Sequence, residues 1–196
     1  MALDRRDFLA GAAIGAGLLA AARRIPSAAA QPHDMEPPRG AALTSRAQLA
    51  PAGEPGEPMI LSGTVFAPDG RRAVPGVTVY AYQTDARGLY ARDGGTMPRL
   101  RGWMVTDAAG RYEVRSIRPA QYPQRTIPPH VHFNAWGAGY PRQWFHQLEF
   151  EGDALVTEER LEQSRRLGRF GMVRRLERRD GLWRCTYDLR LTDGSN

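Results

Sequence analysis

"GTVFAPDGRRAVPGVTVYAYQTDARG", residues 63–88, reads as strand, turn, strand, turn. Val, Thr, Tyr and Phe favour the pleated, half-buried surface of a sheet, and Pro-Asp-Gly and Asp-x-x-Gly are turn formers. The same punctuation runs outward in both directions. "MILSGTVFA" leads into this stretch, and "RYEVRSI" follows "TDAAG". "HVHFNAW" runs into "GAGYP", and "HQLEFEG" and "LWRCTYDLRL" complete the set. Short strand-like runs at this spacing predict an all-β sandwich. One segment breaks the pattern. "TEERLEQSRRLGRF", residues 157–170, spaces Leu and Phe as a helix does, with acids in its first turn and Thr157 three residues before Arg160. It predicts one short helix with a Thr cap.

The ends of the chain read differently. Residues 1–30, "MALDRRDFLAGAAIGAGLLAAARRIPSAAA", place the pair Arg5-Arg6 before an apolar run from Phe8 to Ala22 and end on small residues at Ala30. That pattern predicts an export signal that takes no part in the fold. "DRRDFLAG" resembles the twin-arginine signal, which implies that the export machinery carries an already folded protein to the periplasm or beyond, a route suited to a domain that takes up its metal in the cytoplasm. Residues 31–58 are rich in Pro, Gly and Ala and predict a linker or irregular arm, with His33 a solvated loop residue. The domain proper is expected over 59–196.

Composition excludes several classes. The 196 residues suffice for one domain with a sizeable core, and the body holds no apolar run of eighteen residues that would span a bilayer. The net charge is +6, and all 27 basic residues are Arg. The Arg cluster at 160–179 is interleaved with Glu and Asp, so it reads as a solvated helical face rather than a nucleic-acid patch. The single cysteine, Cys185, alternates with apolar residues and reads as a buried strand residue.

"IPPHVHF", residues 127–133, carries the chemistry. His130 and His132, two apart on a strand, share one face. Only two other histidines exist, His33 and His146, and there is no cysteine set, so a three-His or His/Cys zinc site is poorly supplied. No acid follows closely; the next is Glu149, so neither the two-His-one-carboxylate pattern nor the cupin pattern is met. Tyrosine is the remaining hard-oxygen ligand: a bound cation lowers the phenol pKa far below its free value near 10. Tyr122 lies eight residues before His130, and Tyr90 lies upstream in "RGLYAR".

Taken alone, residues 61–122 resemble the small Ig-like carboxypeptidase-regulatory and transthyretin-like modules, which implies a non-catalytic binding domain. Over about 59–192, however, the ordered set Gly-x-Tyr, Thr-Asp-x-x-Gly-x-Tyr, Pro-x-x-Tyr-Pro, Pro-x-His-x-His-Phe and Gln-Leu-x-Phe-x-Gly-Asp resembles the intradiol ring-cleavage dioxygenases, the protocatechuate and catechol dioxygenases. The resemblance implies an Ig-like, prealbumin-like sandwich holding one Fe(III). It implies Tyr90 and His130 as equatorial ligands and Tyr122 and His132 as axial ones. It also implies a catechol-type substrate and O2, with ring opening between the hydroxylated carbons. Tyr122 is then the tyrosinate that takes a substrate proton. The family places an Arg three residues before the first His. Here that position is Ile127 and the nearest Arg is Arg125, so either a shortened loop brings Arg125 into place or the role is lost. Gln147 matches a glutamine that supports that Arg. Tyr112 is expected in the core and His146 outside the ligand set. Oligomeric state is open, a homo-oligomer included.

Overall fold

The computed structural model describes residues 35–91, 95, 97–123 and 126–194; residues 1–30, expected to be an export signal, and His33 and Arg125 lie outside the described residues. Among the described residues, twelve strands form two six-stranded sheets. β1 (Arg46–Gln48), β2 (Pro58–Phe66), β5 (Arg111–Ile117), β10 (Glu177–Arg179), β11 (Leu182–Thr186) and β12 (Leu189–Arg190) make the first sheet, in the order β1-β5-β2-β11-β10 with β12 also on β2. β3 (Thr78–Gln83), β4 (Leu100–Val105), β6 (His130–Gly137), β7 (Tyr140–Trp144), β8 (Leu148–Phe150) and β9 (Val173–Arg174) make the second, in the order β4-β3-β6-β8-β9 with β7 also on β6. The helix α1 (Glu158–Arg166) and a 3-10 turn at Gly168–Phe170 connect β8 to β9. None of the described helices is long and apolar enough to cross a membrane.

Strand alternation divides the side chains. Met59, Leu61 and Val65 of β2, Val114 of β5, Val79 and Ala81 of β3, Val131, Phe133 and Ala135 of β6, and Leu148 and Phe150 of β8 belong to one buried core cluster between the sheets. Tyr112 lies in that core as expected, and its hydroxyl donates to the Tyr187 carbonyl at 2.5 Å, which satisfies its polar end.

The outer face of the second sheet is the unusual one. Tyr80 and Tyr82 are fully buried although they alternate with the core residues of β3. Register explains their company: Tyr82 stands opposite His132 and Tyr80 opposite Asn134 across β3–β6, and His130 stands opposite Glu149 across β6–β8. Tyr80 and Tyr82 therefore pack under cover on the same face as both histidines. Trp103 stacks on Tyr80 at 5.0 Å, and its indole N–H donates to the Met35 carbonyl, which draws the start of the described chain over this face.

The structure refines the expected elements. The arm is not irregular throughout: Arg46–Gln48 adds to the first sheet as β1, parallel to β5. "LWRCTYDLRL" is two strands, because it breaks where the Tyr187 carbonyl crosses Gly63; a Cβ there would sit 1.9 Å from that oxygen. β4 and β7 do not read as strands from the sequence because Gly102 and Pro141 weaken their strand propensity. The helix agrees with expectation: Thr157 Oγ1 accepts from the Arg160 amide at 3.3 Å. The basic run is a helical face only as far as Arg166, and Arg169 leaves it to pair with Asp188.

Candidate active site

Four side chains from three segments converge on the outer face of the second sheet. His130 and His132 come from β6, and their Nε2 atoms lie 3.0 Å apart. Tyr122 comes from the loop before β6, with its hydroxyl 3.2 Å from His130 Nε2. Tyr90 comes from the loop after β3, with its hydroxyl 2.5 Å from that of Tyr122. The structure thus brings together all four residues implied as ligands.

Each donor is aimed by something specific. His130 Nδ1 lies 2.7 Å from the Pro128 carbonyl, so Nδ1 carries the proton and the Nε2 lone pair points at the focus. Burial holds this imidazole below its ordinary pKa; the Pro128 hydrogen bond opposes that shift, and the charge of Arg160 adds to it. It is therefore neutral near pH 7. The His132 ring stacks on Tyr82, with centroids 4.5 Å apart and planes 14° apart. Tyr82 in turn touches Tyr90.

The Tyr90 loop is built on Asp85. Its Oδ1 accepts the amides of Arg87 and Leu89 at 2.9 and 3.0 Å, and its Oδ2 meets Arg99 at 3.3 Å. Burial alone would raise the Asp85 pKa, but these amides and Arg99 outweigh it and hold the carboxyl below its usual range. Arg99 is itself clamped by both oxygens of Glu54 at 2.5 and 2.6 Å, and its amide donates to the Tyr90 carbonyl. Two further bonds stitch this loop to the Tyr122 loop: Thr84 Oγ1 to the Ala120 carbonyl, and the Ala120 amide to the Asp85 carbonyl. In the sequence "DARG" reads only as a turn. Asp85, Arg99 and Glu54 were missed because their partners lie 14 to 45 residues apart.

The donor set fits a hard trivalent cation. Burial and the neighbouring Tyr122 push the Tyr90 phenol far above its ordinary pKa, so without a cation it stays protonated. A metal ion at the focus reverses that balance, turning crowded phenols into phenolates. Two oxygens and two imidazole nitrogens suit iron and leave room for further ligands. Among the described residues no group of three His, Cys, Asp or Glu could hold a metal, so the tyrosines are indispensable to such a site. His146 is exposed and outside the cluster.

Of the two supporting residues implied by the sequence, Arg125 lies outside the described residues. Gln147 donates from Nε2 to Glu149 Oε1 at 2.7 Å, and Arg160 reaches that same oxygen at 2.6 Å. Ile127 is half-buried in the loop before His130.

A two-sheet sandwich with clustered tyrosine and histidine donors sets out a candidate metal-binding domain, and the family match places it among oxygenases. A family model described as Dioxygenase matches residues 37–193, and the chain belongs to the intradiol dioxygenases. It is 30% identical over 122 residues to catechol 1,2-dioxygenase 1 of Acinetobacter lwoffii, covering 52% of this chain and 39% of that one. It is 31% identical over 118 residues to the protocatechuate 3,4-dioxygenase beta chain of Burkholderia cepacia, covering 54% and 50%. The aligned region thus spans half or less of these curated relatives. Among solved structures it resembles the dioxygenase domain of a dioxygenase–carbohydrate-binding fusion from Streptomyces sp. SirexAA-E, with TM-score 0.58, 26% identity, and 82% of this chain and 96% of that one covered. Catechol 1,2-dioxygenase from Pseudomonas arvilla C-1 shares the fold, with TM-score 0.62, 23% identity, and 79% and 58% covered.

Proposed function

We propose that the chain is a ferric intradiol dioxygenase. It opens a catechol-type ring between the two hydroxylated carbons, incorporates both atoms of O2, and yields a cis,cis-muconate-type diacid. The observation that carries this reading is the convergence of the Tyr90, Tyr122, His130 and His132 donor atoms. Ferric iron held by these four would supply Lewis acidity and oxidising character to a bound catecholate.

The chain's own residues supply the rest. His130 is locked as the tautomer with a free Nε2, so it binds without first losing a proton. His132 is held in plane by Tyr82. Tyr122 Oη touches both Tyr90 Oη and His130 Nε2, so it is the oxygen placed to accept a proton from an arriving catechol hydroxyl. Tyr80 and Tyr82, fully buried beneath the site, keep water from its floor. Tyr90, Tyr122 and His132 are only half-buried, which leaves the outer side open to a planar diol.

The test is to purify the chain after ferric loading, record the visible spectrum and iron per chain, and follow O2 uptake over a panel of catechols. A red to brown protein with one iron and stoichiometric O2 uptake is expected. A colourless, inactive protein after loading sinks the proposal. We further propose twin-arginine export; replacing Arg5-Arg6 with Lys-Lys is expected to retain the protein in the cytoplasm.

A further inference from the structure

We propose that Arg160 supplies the fixed positive charge beside the proposed metal site, held there by Glu149, to which Gln147 also donates. The proposal rests on the function proposed above and deepens it.

Helix α1 adds little to the core. It is polar, and Ser164 is its only buried residue, bonded to Val173 through its Oγ. A helix without an apolar face contributes little to a core. Arg160 also sits in the first turn, where the helix dipole disfavours a cation. Its place is explained by a tertiary partner. Its guanidinium reaches Glu149, whose side chain is 0% exposed, at 2.6 Å. Glu149 stands directly opposite His130 in the β6–β8 ladder, and side chains of such a pair leave the same face. The bridge therefore ends on the face that carries the donor cluster.

The corner is costly to keep. Glu149 Oε1 takes both hydrogen bonds, from Arg160 and Gln147, while Oε2 is buried with no hydrogen-bond partner among the described residues. An unsatisfied buried acceptor keeps the cost of its lost hydration. Retaining it makes sense if the carboxylate's task is to hold a cation in place. That cation is useful here: two phenolates and a catecholate crowd negative charge, and a preorganised positive group steadies the charge that grows on the ring. Ile127, in the loop before His130, offers none.

The experiment compares wild type, Arg160→Gln, Arg160→Lys and, as a control on the same helix, Arg165→Gln. Iron per chain, the visible band, kcat and KM for catechol, and spectroscopic affinities for catechol and 4-nitrocatechol are measured for each. In 4-nitrocatechol the ring carries more of the negative charge. Arg160→Gln is expected to keep iron and colour, to lose kcat on the order of 10²-fold with KM for catechol nearly unchanged, and to bind 4-nitrocatechol about tenfold more weakly with catechol little affected. Arg160→Lys is expected to recover part of both losses, and Arg165→Gln to match wild type. Full kcat in Arg160→Gln, equal losses for both probes, loss of iron, or the same defect in Arg165→Gln overturns the assignment while leaving the dioxygenase reading intact. A wild-type chain that takes up no iron or opens no catechol overturns both.

Discussion

Gly88 is where the candidate site is most exposed to a single change. It has φ +78°, and a Cβ there would lie 1.9 Å from the Gln121 carbonyl oxygen and 3.0 Å from Pro123 Cδ. It is the point where the Tyr90 loop crosses the Tyr122 loop. In Gly88→Ala the left-handed backbone costs roughly 1–2 kcal/mol, partly offset by about 0.4–1 kcal/mol from a less flexible unfolded chain. The contact is the larger effect. Ordinary contacts lie near 3.5 Å, so the two loops must part by roughly 1.5 Å. Because the obstacle is backbone, no side-chain rotation relieves it. The hydroxyls of Tyr90 and Tyr122, now 2.5 Å apart, would no longer meet at one focus. Misplacement by about 1 Å can cost 10²-fold in rate. The crossing lies outside the inter-sheet core, so the sandwich should survive with Tm lower by only a few degrees. Iron per chain, visible absorbance, O2 uptake and a calorimetric melt check this. A Gly88→Ala protein with full iron, colour and activity would refute the claim that this crossing sets the donor geometry.

Three further outcomes are expected. Tyr122→Phe should bleach or shift the visible band of the ferric protein and abolish ring opening; an unchanged spectrum would remove Tyr122 from the ligand set. Arg99→Ala should cost about 1–3 kcal/mol by leaving Glu54 and Asp85 without their shared cation, and should speed amide exchange at residues 85–90 while β2 and β5 stay protected. Burial raises the Cys185 thiol to about 12, against a lowering by Arg174. Below that pH the thiolate is scarce, so native protein at pH 8 should resist thiol reagents that label the urea-unfolded chain at once.

The sandwich was legible because strand alternation and turn chemistry are local. Pro68-Asp69-Gly70 and Asp107 to Gly110 close turns with their own neighbours: Asp69 Oδ1 accepts the amides of Arg71 and Arg72, and Asp107 Oδ1 those of Ala109 and Arg111. The shared face of His130 and His132 followed from the same alternation. Helix-start chemistry, equally local, marked the cap at Thr157, and alternation with apolar neighbours marked the burial of Cys185. The resemblance carried Tyr90 and Tyr122 to the site, which spacing could not have done, since phenols have no periodic signature.

What only the tertiary structure decided is which long-range pairs share a carboxylate. Nothing near Asp85 announces Arg99 and Glu54, and nothing in a solvated-looking Arg run singles out Arg160. Each depends on strand register and loop closure between residues 11 to 45 apart in the chain. The outer face of β3 makes the same point. Tyr80 and Tyr82 are buried, but on the face opposite the core cluster, beside His132 and Asn134. Alternation fixes which residues share a face; the loops and partner strands that cover that face decide whether it becomes a solvated surface or the floor of a site.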